Sequence, residues 1–349
     1  MSQRVSRRGR VVLAVMLAAV LGAGAGAGVM LYAAGNGAVR GTQLGALAWY
    51  SNNYASGGAP TGVLFDGTSV WVADASRNTV SKINPATGAV LGAYTLPAAS
   101  SPYGIAFDGS NIWAANNNSS TVSKVSAATG AVIGTYALPA GSRPFGVVFD
   151  GTSIWTANNS GSSVSKINPA TGAVLGTYVL PLGSSPRSIA FDGTNIWTAN
   201  EGTSAVSRIN PATGAVIGTY PLPAGSFPRG IAFDGTTIWT ANWGTSAVSK
   251  INPSTGAVIG TYPLPADSRP VGIVLDQPGY STNTARALDK STYMWTVNNY
   301  GTVSTISVAT GAVIATYPVG VSPFGIAFDG TNIWVTNYVS ATVTKIQAR

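Results

Sequence analysis

Residues 144–158 read Pro144-Phe145-Gly146-Val147-Val148-Phe149-Asp150-Gly151-Thr152-Ser153-Ile154-Trp155-Thr156-Ala157-Asn158. Two β-branched and aromatic runs flank Asp150-Gly151, a strong turn signal, so the stretch predicts two short strands joined by a tight hairpin. The same pattern returns along the chain. Phe-Asp occurs at Phe65-Asp66, Phe107-Asp108, Phe149-Asp150, Phe191-Asp192, Phe233-Asp234 and Phe328-Asp329, with Leu275-Asp276 as a variant copy. Copies from Phe65 to Leu275 are spaced by 42 residues, and the last step to Phe328 is 53. A tryptophan follows each: Trp71, Trp113, Trp155, Trp197, Trp239, Trp295 and Trp334.

Each copy supplies four short strands, here called a to d, separated by Gly- and Asn-containing turns. A four-stranded sheet of this size cannot cover both of its faces, whereas radial stacking with ring closure can. Seven copies therefore predict an all-β, seven-bladed β-propeller of four-stranded antiparallel blades. The array begins at Pro60 with a strand a and ends with a strand c, so the last blade needs an outer strand from the N-terminus. Residues 37–42 (Gly-Ala-Val-Arg-Gly-Thr) match residues 214–219 at five of six positions and are expected to be that strand. The domain reading is 1–36 leader, 37–59 closing strand and joint to blade one, and 60–349 propeller.

Composition narrows the chemistry. The 349 residues include no histidine and no cysteine, which excludes Ser-His-Asp and Cys-His nucleophiles, His or Cys zinc sites and disulfides. The formal charge of +8 falls to +4 once four leader arginines are set aside, and without a Lys/Arg run it does not indicate nucleic-acid binding. Arg4, Arg7, Arg8 and Arg10 precede the apolar run 11–21 and the small-residue tract 22–28, so residues 1–36 read as a signal peptide or signal anchor. The expected location is extracytoplasmic, secreted or held at the cell surface, with the membrane touched only through that segment.

The strand a and strand b motifs, with Trp334-Val335-Thr336-Asn337 the nearest copy, resemble the YVTN and NHL propeller repeats across 60–349. The virginiamycin B lyase family is similar in architecture, and its activity relies on a catalytic histidine and glutamate with magnesium. Carried over to this sequence, that resemblance implies Glu201, the only glutamate, and no imidazole.

Residues repeated in every blade are assigned to the scaffold: the tryptophans as wedges between blades, the turn aspartates and the strand b asparagines as acceptors for backbone N–H groups. Function is expected where the repeat is broken, on the rim shared by the d–a and b–c loops. Those positions are Trp49, Tyr54, Tyr103, Arg143, Phe145, Arg187, Glu201, Arg229, Trp243, Arg269, Asn299, Phe324 and Tyr338. Aromatics, amides and arginines on one rim suit a glycan, peptide or envelope protein. The primary expectation is thus an exported, monomeric, non-catalytic binding module with no cofactor and no metal. The alternatives are a lyase-like enzyme with Glu201 as base among Arg187 and Arg229, and an architectural surface protein. On the opposite rim, an insertion of 14 residues between Asp276 and Trp295 reads as an irregular excursion or a docking element.

Overall fold

Blade three shows how one copy folds. Pro144–Phe149, Ile154–Asn158, Ser163–Ile167 and Val174–Val179 pair antiparallel in that order as strands a to d. Strand b lies mid-sheet and is buried at all five positions, whereas the outer strand d alternates exposed and half-buried side chains. The structure, a computed structural model, describes residues 50–276 and 292–348. These form seven such sheets, so the propeller expected from the repeat is the observed fold.

The tryptophans wedge the blades together. Trp155 is fully buried among Ala157, Val164 and Leu180 of its own blade and Ile189, Ile196 and Ile209 of the next. Burying such a side chain contributes roughly 3 kcal/mol, and the wedge recurs seven times. Its indole N–H donates to Asp150 Oδ2 at 2.7 Å, while Asp150 Oδ1 accepts the N–H groups of Thr152 and Ser153. One aspartate thus ties the a–b turn to the wedge. Tyr178 of strand d stacks on the indole at 5.8 Å, and the Lys166 ammonium lies 5.5 Å from its centroid. Lys166 then donates to the Pro211 carbonyl in the c–d turn of the following blade at 2.7 Å.

The strand b asparagines behave differently from expectation. Asn158 Nδ2 donates to Ser163 and Ser165 hydroxyls, Thr156 Oγ1 donates to Asn158 Oδ1, and Ser165 bonds Thr177. They belong to a side-chain ladder across the sheet, because strand pairing already satisfies the backbone there.

Blade seven is ordered Tyr50–Ala55, Thr342–Gln347, Asn332–Asn337, Pro323–Phe328, so an N-terminal strand closes the ring. Its position corrects the sequence reading: residues 50–55, not 37–42, take the slot, and 37–42 lie outside the described residues. Tyr54 stacks on Trp334 at 5.9 Å, as Tyr178 does on Trp155, and Asn53 accepts from the Thr344 hydroxyl where blades two to six use threonine. Tyr54 is therefore a scaffold residue rather than a rim residue. Closure to blade one adds Lys345 Nζ to the Pro85 carbonyl at 2.6 Å and Thr336 Oγ1 to the Thr61 carbonyl at 2.5 Å.

Six blades carry the cation that reaches the next c–d turn: Lys82, Lys124, Lys166, Arg208, Lys250 and Lys345. Blade six has Thr305 opposite Trp295 instead. In its neighbour, blade seven, no c–d turn joins Thr342–Gln347 to its outer partner among the described residues, since strand d is supplied by Tyr50–Ala55. The cation is missing where its acceptor is missing.

Candidate functional site

Every strand a shifts register just after its proline, in blade three between Pro144 and Val147. Such a bulge turns the strand and re-aims the side chain beside it. The residues at this point are Thr61, Tyr103, Phe145, Arg187, Arg229, Val271 and Phe324. All but Thr61, which is buried and bonded to the Ala73 and Pro102 carbonyls, line a cavity of about 200 Å³ at the mouth of the axial channel. The following residue is glycine in six blades because inner strands crowd around the axis: a Cβ on Gly104 would collide with the Phe145 carbonyl oxygen. Blade four carries Ser188 there.

The mouth is an aromatic and cationic cluster. Tyr103 lies 4.5 Å from Phe145 and 5.6 Å from Phe324, centroid to centroid. The Arg187 guanidinium sits over Phe145 at 4.7 Å and over Phe324 at 5.9 Å. Burial, reinforced by nearby Tyr338 and opposed by Arg187, pushes the Tyr103 phenol above its ordinary value.

Glu201 binds two of these arginines at once. Its Oε2 accepts from Arg187 Nη1 at 2.9 Å, and its Oε1 accepts from Arg229 Nε at 2.7 Å with Nη2 at 2.6 Å. In blades two and three this loop position holds Asn117 and Asn159, whose amides donate to the carbonyls of Pro144 and Ser185. A carboxylate cannot donate, so Glu201 takes the guanidinium groups instead and bridges blades four and five. All three side chains are about one-fifth exposed. Burial and then repulsion by Arg187 and Arg269 pull the Arg229 guanidinium below its ordinary value, with Glu201 acting in the opposite direction. It stays cationic at neutral pH.

The cluster continues outward through Trp243. Arg229 lies over its ring at 4.0 Å, Arg269 lies over it at 4.9 Å, and Arg269 also lies 5.5 Å from the Tyr300 ring. The Trp243 indole N–H is buried without a hydrogen-bond partner.

Of the residues expected from sequence, eight converge: Tyr103, Phe145, Arg187, Glu201, Arg229, Trp243, Arg269 and Phe324. Tyr338 is exposed beside Tyr103, and Asn299 lines a second groove. Arg143 is exposed, and the hydrogen bonds recorded for it are made by its backbone, to Ser120 and from Asn159. Trp49 and residues 277–291 of the insertion lie outside the described residues. Tyr300 was not anticipated; its signal was an aromatic in the b–c loop of blade six, next to Asn299.

This is a propeller whose channel mouth is fitted with one carboxylate, three arginines and a bank of aromatics. Residues 40–290 match the virginiamycin B lyase family, and the chain belongs to it. No curated protein matches the chain. Among solved structures it is similar to virginiamycin B lyase from Staphylococcus aureus, with 21% identity, a TM-score of 0.71, and coverage of 85% of this chain and 99% of that one. A catalytically inactive histidine-to-alanine variant of the same enzyme with quinupristin gives 22%, 0.72, 85% and 99%. Kuenenia stuttgartiensis hydrazine synthase gives 19%, 0.70, 83% and 96%. These likenesses establish the fold. The family match corrects the expectation of a non-catalytic binding module: absent imidazole argued against catalysis from one residue type, whereas membership rests on the pattern of most of the chain.

A magnesium ion, implied by the family, does not fit the donors present. Hard divalent cations need several oxygen ligands. Among the described residues there is no group of three acidic or imidazole side chains, and both oxygens of the one carboxylate at the mouth are held by guanidinium groups.

Proposed function

We propose that this protein is a lyase of the family that works at the channel mouth with Glu201 as base and without imidazole. The observation that carries the reading is the Arg187–Glu201–Arg229 bridge. It fixes one carboxylate between two cations beside an aromatic-lined cavity, on a chain whose sequence matches lyases. The substrate class is a peptide-like molecule with a carbonyl-activated C–H bond, and quinupristin, bound by the variant structure named above, is the natural probe.

In an eliminative cleavage, the substrate carbonyl exchanges into one guanidinium bond and releases a Glu201 oxygen. That oxygen takes the proton from carbon, the C–H electron pair becomes the new C=C bond, and the bond to the leaving oxygen breaks. Arg187 and Arg229 stabilise the negative charge that develops on the carbonyl oxygen. Tyr103 keeps its proton at neutral pH and supplies it to the leaving oxygen. Proton exchange with water resets both groups.

The test is conversion of quinupristin followed by mass spectrometry. Cleavage without added water mass, lowered at least about a hundredfold in Glu201→Gln, is expected. Equal turnover in that variant would remove Glu201 from the mechanism, and absence of turnover in the intact protein would remove the reading. We propose further that residues 1–36 direct export, which cell fractionation of the full chain and of a chain lacking them will decide.

A further inference from the structure

Both loops at the outer edge of blade six are shorter than their counterparts. Asn298 to Thr302 spans four steps where Asn200 to Ala205 spans five, and Tyr317 to Pro323 spans six where Tyr220 to Pro228 spans eight. Beside these shortened loops lies a groove of about 440 Å³ lined by Asn299, Tyr300, Gly301, Val319, Val321 and Ser322. Its apolar side chains face solvent: Tyr300 is 62% exposed and Val321 57%. Exposed aromatics and aliphatics clustered beside a site mark recognition surface. A chain of side-chain contacts links the groove to the channel mouth: Arg269 lies over both Trp243 and Tyr300, and Arg229 links Trp243 to Glu201.

We propose that this groove is a second binding subsite that takes an aromatic ring of the substrate, stacked against Tyr300 and Arg269, while the reacting bond lies at Glu201. The inference deepens the lyase reading and rests on it for the identity of the substrate. An aromatic occupant follows from the lining. A flat ring can cover Tyr300 and Val321 together and share the Arg269 cation, whose face-on geometry with aromatic rings already recurs on this rim at Phe145 and Trp243. A carboxylate would gain Arg269 alone and leave the apolar lining wet.

Two probes separate ring recognition from mere greasiness: N-acetylphenylalaninamide and N-acetylleucinamide, titrated into ¹⁵N-labelled protein. The phenylalanine probe should shift the amide signals of Gly301 and Gly320, the leucine probe should shift them much less, and the effect should vanish in Tyr300→Ala but persist in Tyr300→Phe. Equal shifts from both probes, or none at these glycines, would overturn the subsite. With quinupristin, Tyr300→Ala should raise KM about fivefold, a larger change than that in kcat. Glu201→Gln should abolish turnover with the probe shifts intact. Failure of turnover in the unaltered protein sinks the lyase reading alone, because the probe shifts judge the groove without it.

Discussion

The guanidinium carbon of Arg229 stands 4.0 Å from the centre of the Trp243 ring, close enough for the two to act as one flat surface. Its Nε and Nη2 face Glu201 at the same time. Planarity and a forked donor set are both needed, and lysine has neither. Arg229→Lys is therefore expected to lower kcat/KM by at least about tenfold, ~1.4 kcal/mol of transition-state stabilisation. Urea melts should shift by less than about 1 kcal/mol, because the pair is partly solvated. Unchanged kinetics would mean that charge alone suffices at this position.

The turn aspartates divide by pH behaviour. Burial opposes charge on Asp66, Asp108 and Asp234, yet the hydrogen bonds from tryptophan and the turn outweigh it and hold these carboxyls below their ordinary value. Their stabilisation is complete above about pH 4 and is lost as the pH falls through the lowered folded-state values. Asp276 has the opposite shift: burial dominates and outweighs the hydrogen bonds from the Trp295 indole, the Tyr293 N–H and its own backbone N–H. Its charged form is disfavoured in the fold, which gains stability as the pH falls through that raised value. Asp234→Asn should cost about 1–3 kcal/mol at neutral pH and less on approach to about pH 3, whereas Asp276→Asn should cost less at neutral pH and more as the pH falls, the opposite trend. Urea melts between those limits measure both.

Closure depends on Tyr54. Tyr54→Ala removes the ring stacked on Trp334 from the last blade and should cost about 3 kcal/mol, comparable to Tyr94→Ala in blade one. Deleting residues 50–55 should lower the melting temperature far more than either. Calorimetry showing no change for Tyr54→Ala would place the closing contact elsewhere.

The interblade cations are testable by pairing two substitutions. Lys124→Met leaves the Pro169 carbonyl without its charged donor and should destabilise by about 1 kcal/mol. Thr305→Lys should change stability by less than about 0.5 kcal/mol, because no turn carbonyl of the following blade awaits it. A clear gain from Thr305→Lys in thermal melts would contradict that explanation of the missing cation.

The blades were legible because their costliest residues repeat: a buried tryptophan, the aspartate that satisfies its N–H, and the turn glycine leave a fixed period. The closing strand was misplaced because residues 37–42 match the first half of a strand d, where Val174 and Leu175 are exposed and carry little packing. The informative residue was the stacking tyrosine, present as Tyr54 without the flanking pattern. Rim residues were found as breaks in the repeat, and eight of them do meet. Their chemistry was judged wrongly because one-residue logic weighed missing histidine above the family pattern. The register shift that turns Phe145 and Arg187 toward the mouth has no composition signal, and neither has the groove that lies beside the two short loops at Tyr300.

Tyr50–Ala55 is the outermost strand of blade seven and pairs with Thr342–Gln347, while the residues around Glu201 ride on the innermost strands and the loops above them. Softness is thereby graded from perimeter to hub. Opening of that outer strand can exchange amide protons along Tyr50–Ala55 while the hub's geometry stays intact.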